Sequence, residues 1–330
     1  MTNYKPPYTI TDKMLEYVAS VSEKVGSLKN YSLLETKPHL RRNNRIKSIH
    51  SSLRIEANLL SLSEVRDVIN GRMVLGDRKE IQEVKNAYMV YGEIEKINPY
   101  SVENLKKIHG IMTAGIVRES GDFRKGEEGV FSDDTCIFVA PPPNMVPNLI
   151  ADLFAWMKEN REVVHPLIMS AIFHYEFVFI HPFADGNGRM ARLWHTVLLY
   201  QWRDIFEYIP LESQIEKFQS EYYGAIATCH TNGNSDVFIE FMLEQIDKIL
   251  DEVIVQFEQA DSDMSEYVKR LISVMEYDIP YTAVAIMEKL GLKSRETFRK
   301  NYMNPALEIG IVKMTIPDKP NSRNQRYVRK

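Results

Sequence analysis

The stretch His181-Pro182-Phe183-Ala184-Asp185-Gly186-Asn187-Gly188-Arg189-Met190-Ala191-Arg192 joins two segments, 166–178 and 188–200, whose apolar residues recur every three or four positions. That spacing predicts helix, loop, helix. Gly186 and Gly188 let the backbone approach a ligand closely. Free N–H groups opening the second helix, at the positive end of its dipole, suit anionic oxygens. Arg189 and Arg192, three apart, emerge on one helical face, where planar guanidinium groups grip phosphates in bidentate fashion. Asp185 is the hard oxygen ligand Mg²⁺ prefers when phosphates and water complete its shell. His181, with an ordinary pKa of about 6.5, is the base for an attacking hydroxyl at neutral pH. Pro182 and Phe183 read as pins that fasten the loop to the core. A DGNG tetrapeptide alone reads more simply as a tight turn with a helix cap, so the weight rests on the whole string.

Outward from the loop, helical spacing recurs over 14–25, 53–69, 81–97, 102–111, 149–158, 218–228 and 237–257, which predicts a mostly helical body. The exception is GDFRKGEEGVFSDDTCIFVAPPPNMVP. There Gly121, Gly126 and Gly129 surround short β-branched or aromatic runs and three prolines close the segment, predicting a hairpin over about 121–139. ADSDMS near residues 260–265 interrupts the helical pattern. Beyond it, helices over 265–277, 281–290 and 295–309 and two short strands around a Pro/Asn/Ser turn follow the order of a winged helix-turn-helix. The expected division is 1–100 as an N-terminal helical region, 101–262 as the core and 263–330 as the winged helix.

The 330 residues are 44% hydrophobic and 26% charged, an ordinary globular balance. The net charge of −4 is uneven: residues 264–330 hold 13 Lys and Arg against 7 Asp and Glu, so +6 there leaves −10 on the rest. Cys136 and Cys229, far apart and without neighbouring cysteines, support neither a disulfide framework nor a CxxC metal site. No apolar run approaches the roughly 18 residues of a membrane span, and MTNYKPPYTITDK lacks the order of a signal peptide. The expectation is a cytoplasmic protein without membrane contact. His174 and His195 lack the spaced acidic or Cys partners of a metal cluster and read as packed side chains.

The loop resembles the signature of the Fic family, H-P-F-x-[D/E]-G-N-G-R-x-x-R, at all nine fixed positions, and a looser resemblance covers about 50–245. The predicted helix-loop-helix is the context that motif needs. The resemblance implies a mainly α fold: a Fic-type helical core with a β-hairpin flap, followed by the small winged helix-turn-helix domain. It also implies a protein adenylyltransferase, moving AMP from ATP to a Ser, Thr or Tyr hydroxyl of a target protein, and of itself, with release of pyrophosphate. Carried over, His181 deprotonates the hydroxyl and Asp185 holds Mg²⁺. Gly186, Asn187 and Gly188 cradle the phosphates, and Arg189 and Arg192 bind the β and γ groups. In the family's kinase-like branch, the Doc toxins, a lysine stands where this sequence has Gly188, which argues against that branch. The signature leaves transfer of other phosphate-linked groups, such as phosphocholine, open.

The resemblance extends to the flap at 121–139, which in the family pairs with an extended target segment by strand addition. Tyr222 and Tyr223 fall near the position where family members keep a Tyr beside the nucleotide. Ser52-Leu53-Arg54-Ile55-Glu56-Ala57-Asn58 resembles the inhibitory motif [S/T]-x-x-x-E-[G/N], with Ala57 where Gly is usual. That implies an inhibitory helix at about 50–60 on which Glu56, accompanied by Ser52 and Asn58, pairs with Arg192. In some relatives the same Glu assists removal of AMP, so deAMPylation stays open beside attachment. A reading from a different class makes the chain a nucleic-acid-binding regulator with a vestigial loop, through the basic tail and Arg295, Arg299 and Lys300. Against DNA stands a protein-interaction or homodimerisation role for the same winged helix.

Overall fold

The computed structural model describes residues 4–28, 38–132, 135–262, 265–276 and 279–329. They fall into two compact units. One comprises Met1–Val25 and Asn44–Leu250, the other Gly26–Asn43 and Asp251–Lys330, each over its described residues.

The first unit takes α1 (Asp12–Leu28) up to Val25 and α2 (Pro38–Ile55) from Asn44, then α3 (Leu62–Ile69), α4 (Arg78–Tyr91) and α5 (Val102–Met112). A hairpin of β1 (Gly129–Ser132) and β2 (Thr135–Val139) follows. Then come α6 (Val146–Asn160), α7 (Pro166–Ile180), α8 (Asn187–Trp202), α9 (Leu211–Lys217), α10 (Gln219–Asn232) and α11 (Asp236–Ser262), the last as far as Leu250. The centre is the pair α7 and α8. Every residue from Leu167 to Phe177 is buried, as is every residue from Arg189 to Leu199, and helices covered on all faces belong in the middle of a core. Trp194 lies on Phe173 with ring centroids 6.2 Å apart, meets Phe154 at 6.3 Å, and donates its indole N–H to the Pro99 carbonyl at 3.0 Å. Burying each such aromatic contributes roughly 2–3 kcal/mol, so the bend between α7 and α8 is held by the most stable part of the unit. The hairpin pairs Gly129 with Val139, Val130 with Phe138, Phe131 with Cys136 and Ser132 with Thr135, with a register shift after Val130. Strand pairing thus starts at Gly129, and the earlier part of the 121–139 segment is loop.

The helix expected over 53–69 is two helices, and no helix was expected over most of α2. Ser61 and Glu64 form a capping box that starts α3 afresh, a local signal stronger than the run of apolar spacing across it. Glu56 consequently sits in the turn beyond the end of α2 rather than within an inhibitory helix spanning 50–60. The α2 terminus closes by Asn58 N–H to the Leu53 carbonyl at 3.1 Å and Ala57 N–H to the Arg54 carbonyl at 3.0 Å. That is the Schellman pattern, and its left-handed position falls on Ala57 at φ 65°.

The second unit, from its described residues, carries α12 (Glu266–Ser273), β3 (Pro280–Tyr281) and α13 (Ala283–Leu290). A last helix, α14, runs over 295–308 with a π-helical stretch at Phe298–Met303, and β4 (Val312–Met314) and β5 (Tyr327–Arg329) follow. The antiparallel sheet has the order β3-β5-β4, which is winged helix-turn-helix topology. Strand β3 lies in the stretch where the apolar spacing predicts the start of a helix. At the end of α13 the same terminal pattern recurs, Leu292 N–H to Met287 and Gly291 N–H to Glu288, but with Gly291 at φ 69°.

The pattern also closes α3, where Arg72 N–H reaches the Asp67 carbonyl and Gly71 N–H the Val68 carbonyl with Gly71 at φ 72°, so Ala57 fills a left-handed position that Gly fills at the ends of α3 and α13. Replacing Ala57→Gly is expected to stabilise the protein by about 1 kcal/mol, read as a higher urea midpoint at unchanged slope.

Candidate functional site

Helix α7 ends on His181, whose φ of 49° and ψ of 60° are left-handed, a conformation His tolerates better than most residues. Its N–H donates to the Phe177 carbonyl at 3.0 Å. The carbonyls left over at this end are taken by Arg124, only 3% exposed. Its Nε donates to His181 O at 2.6 Å, its Nη2 to Ile180 O at 3.4 Å and to Pro141 O, and its Nη1 to Gly126 O at 2.8 Å. Arg124 N–H also donates to Pro182 O at 2.9 Å. A cation at the negative end of a helix is stabilising, and here it fixes the His181 backbone. Burial lowers the His181 pKa below its ordinary value, and Arg124 lowers it further, so the imidazole is neutral at pH 7.

Asn187 closes the loop. Its Oδ1 accepts from Phe183 N–H at 2.9 Å and its Nδ2 donates to Phe183 O at 2.7 Å. Phe183 is fully buried and stacked on His109, centroids 3.6 Å apart and planes 4° apart. His109 Nδ1 accepts from Gly121 N–H at 3.0 Å, so its Nε2 carries the proton and donates to Asp185 O at 2.9 Å. Helix α8 then starts at Gly186, which is at φ 83° and has no side chain with which to cap it. The first N–H groups of α8 have no carbonyl partners within the helix.

Two buried arginines follow, each facing a carboxylate. Arg189 Nη2 lies 2.9 Å from Asp185 Oδ1 and its Nη1 lies 3.2 Å from Glu83 Oε1. Arg192, 2% exposed, donates through Nε to Ser52 Oγ at 3.0 Å, and through Nη2 to Ser52 O at 2.9 Å and Glu56 Oε1 at 2.7 Å. The Glu56 carboxylate lies directly over Gly188, so that a Cβ at 188 would collide with it. Asn58 does not reach Arg192; its Nδ2 donates to Glu83 Oε2 at 2.9 Å. Tyr222 is buried with its hydroxyl 2.9 Å from His174 Nε2, whereas Tyr223 is 48% exposed and near enough to feel the charges of Glu56 and Arg192. His195 is buried and its ring meets His174 edge to face.

Residues 97–199 match the model of the Fic/DOC family, and residues 266–328 match that of the "Filamentation induced by cAMP protein Fic-like, C-terminal domain". A crystal structure of a Fic family protein from Desulfovibrio desulfuricans G20 is 40% identical, superposes with a TM-score of 0.76, and is covered over 98% of its chain by 99% of this one. The chain belongs to the Fic family. Among curated relatives it is 30% identical to "Protein adenylyltransferase Fic" of Aedes aegypti over 216 residues, 62% of this chain and 41% of that one. It is 26% identical to the Drosophila melanogaster protein of the same name over 234 residues, 68% and 44% respectively. It thus spans less than half the length of these curated relatives.

The structure gathers His181, Asp185, Gly186, Asn187, Gly188, Arg189, Arg192, Ser52 and Glu56 into one place and leaves Asn58 and Tyr223 at its edge. Among the described residues no three potential metal ligands cluster. The single Asp185 carboxylate, its side chain 38% exposed, still suits Mg²⁺, which takes the rest of its shell from phosphates and water. Sequence reasoning missed Arg124, His109 and Glu83. The last two had a signal: His109 falls on the Leu105–Met112 buried face of α5, and Glu83 on the Ala87–Val90 face of α4. Polar residues on an apolar stripe are buried for a reason. Arg124 had none beyond its place among glycines.

Glu83→Ala should cost about 3–5 kcal/mol, read by chemical denaturation, since it strips a buried arginine of one of its two carboxylates. Burial lowers the pKa of His109 to about 4 and that of His195 to about 3. The unfolded chain therefore takes up protons first. Stability should be full above pH 6.5 and fall as pH drops toward 4. For His109→Gln that fall should be shallower by about 1.4 kcal/mol per pH unit, as denaturant titrations across the range would show.

Proposed function

We propose that this Fic protein is an adenylyltransferase that moves AMP from ATP onto a hydroxyl side chain of another protein and that its resting form is restrained by Glu56. The observation that carries the reading is the arrangement of a neutral His181, Asp185, Arg189 and Arg192 around the uncapped start of α8. His181 accepts the proton of the incoming hydroxyl. Its oxygen bonds to the α-phosphorus as the bond to pyrophosphate breaks, and pyrophosphate leaves. The N–H groups of Asn187 and Gly188 meet phosphate oxygens, and the two guanidinium groups offset the charge of the leaving pyrophosphate. Asp185 would hold Mg²⁺, which supplies charge neutralisation to the triphosphate when bound.

Restraint is supported by the occupancy of Arg192. With Nε on Ser52 and Nη2 on Ser52 and Glu56, the guanidinium is engaged, and the Glu56 carboxylate stands over Gly188 where a terminal phosphate would approach. The hairpin β1–β2 is the surface on which an extended target segment would add a strand.

Incubation with Mg²⁺ and α-labelled ATP should give weak labelling of protein by wild type, at least tenfold stronger labelling by Glu56→Gly, and none by His181→Ala. Label arriving from γ-labelled ATP, or labelling that survives His181→Ala, would overturn the assignment. Because burial holds His181 below its ordinary 6.5, the acid-side decline in labelling by Glu56→Gly should have its midpoint below pH 6.5.

A further inference from the structure

The C-terminal unit carries a charged surface that AMP transfer does not use. Its α13 ends on Gly291 and α14 begins after Ser294, whose hydroxyl accepts from Thr297 N–H at 3.2 Å. The result is two helices joined by a short glycine-containing turn. The inward side of α14 is Phe298, Tyr302, Met303 and Ala306. The π-helical stretch adds a residue to that turn, and both Arg299 and Lys300 stand exposed beside Arg295. Between β4 and β5 the 315–326 loop is braced from within by Gln325. Its Oε1 accepts from Ile316 N–H at 2.9 Å and its Nε2 donates to Ile316 O at 2.7 Å. The loop is also joined to the helix, since Arg299 Nη2 donates to Asn321 Oδ1 at 3.3 Å. Lys319, Arg323 and Arg326 on this loop are all exposed.

From Gly291 to Arg326 the surface thus presents Lys293, Arg295, Arg299, Lys300, Lys313, Lys319, Arg323 and Arg326 against Glu296, Glu308 and Asp318. Among the described residues none of these eight cations lies within 4.0 Å of a carboxylate. Cations held together without counter-charges repel one another, and an anion laid across them relieves that repulsion. A protein partner fits this surface poorly. Interface cores favour aromatic and apolar side chains and are depleted of Lys, while no large hydrophobic is exposed among the described residues of α14 over 295–308 or of the 315–326 loop; those exposed elsewhere in the unit include Tyr267, Ile279, Val284 and Ile309. A-form RNA fits poorly too, because its deep, narrow major groove excludes a helix. The major groove of B-form DNA admits one, and α14, about 20 Å long by its rise, is of the right size.

We infer that this unit binds duplex DNA, with α14 in the major groove and the 315–326 loop against the adjacent backbone. The contacts named are to phosphates, which give affinity and register rather than sequence choice. With about five phosphates neutralised, log K should fall against log salt with a slope of roughly −4 to −5. The remaining −10 of the chain steepens dependence on this one patch.

The test uses the full chain and a fluorescein-labelled 30-base-pair duplex of mixed sequence, followed by anisotropy from 50 to 200 mM salt. Two double variants accompany it, Arg295→Glu with Lys300→Glu on the helix and Lys319→Glu with Arg323→Glu on the loop. Arg299 is kept because it braces the loop, and a thermal melt checks that each variant is folded. Binding in the micromolar range at 50 mM, the stated slope, and at least tenfold weaker binding by both variants are expected. The inference is overturned by absent binding at 50 mM salt or by a salt-insensitive affinity. It is also overturned if either folded variant binds as tightly as wild type, or if duplex RNA of the same length binds as well as DNA.

Discussion

Two helices that are buried on every side and meet at a tight bend must have their polar ends satisfied, and the two ends are treated differently. The carbonyl end of α7 is filled by a protein cation, Arg124, which spreads its N–H groups over the carbonyls of Ile180, His181, Pro141 and Gly126. The N–H end of α8 is preceded by Gly186, which offers no capping oxygen. One end is completed from within; on the proposed function the other is left open for an anion from outside. Everything else in the loop follows from that asymmetry. Asn187 and the His109–Phe183 stack keep the bend rigid, so that the open end of α8 and His181 hold a fixed relation.

On that reading an anion site this deep needs cations, and cations this deep need acids beside them. Arg189 and Arg192 are 3% and 2% exposed, and an unpaired guanidinium at that depth costs several kcal/mol. Beside Asp185 on the loop itself, two acids from outside it answer from different ground. Glu83 projects from the middle of α4, is 8% exposed, and is further tied by Asn58. Glu56 stands in the turn after α2 with a third of its side chain in solvent. The first is part of the frame, while the second can leave without unpacking a helix.

Most of the core of this arrangement was legible in the sequence. The nine fixed positions of the loop, the helical spacing on either side and the Glu56 motif were enough to name the residues the structure brings together. What escaped were residues whose work is to hold others: Arg124 acts on carbonyls, and backbone acceptors leave no mark in a motif. The break of the 53–69 helix escaped because the six residues 56–61 disturb apolar spacing too little, although the Ser61–Glu64 capping box announced it. Strand β3 escaped because two residues carry no periodicity.

On the autoinhibited reading, release of Glu56 is an exchange rather than a rupture. Removing the carboxylate alone would leave Arg192 buried beside neutral Ser52, at a cost of about 3–5 kcal/mol. A terminal phosphate arriving at the same guanidinium restores the pairing with more charge and more acceptors. The opposition to ATP is therefore less the strength of the Glu56–Arg192 bond than the stability of the turn that delivers Glu56 over Gly188. That turn closes through Ala57 at φ 65°, where the side chain costs about 1 kcal/mol. A residue that strains the cap thereby weakens the restraint by a comparable amount, a shift of about fivefold in the balance between carboxylate and phosphate. On that reading the departure of Ala57 from the usual Gly is a setting of the lock, made in the backbone next to Glu56.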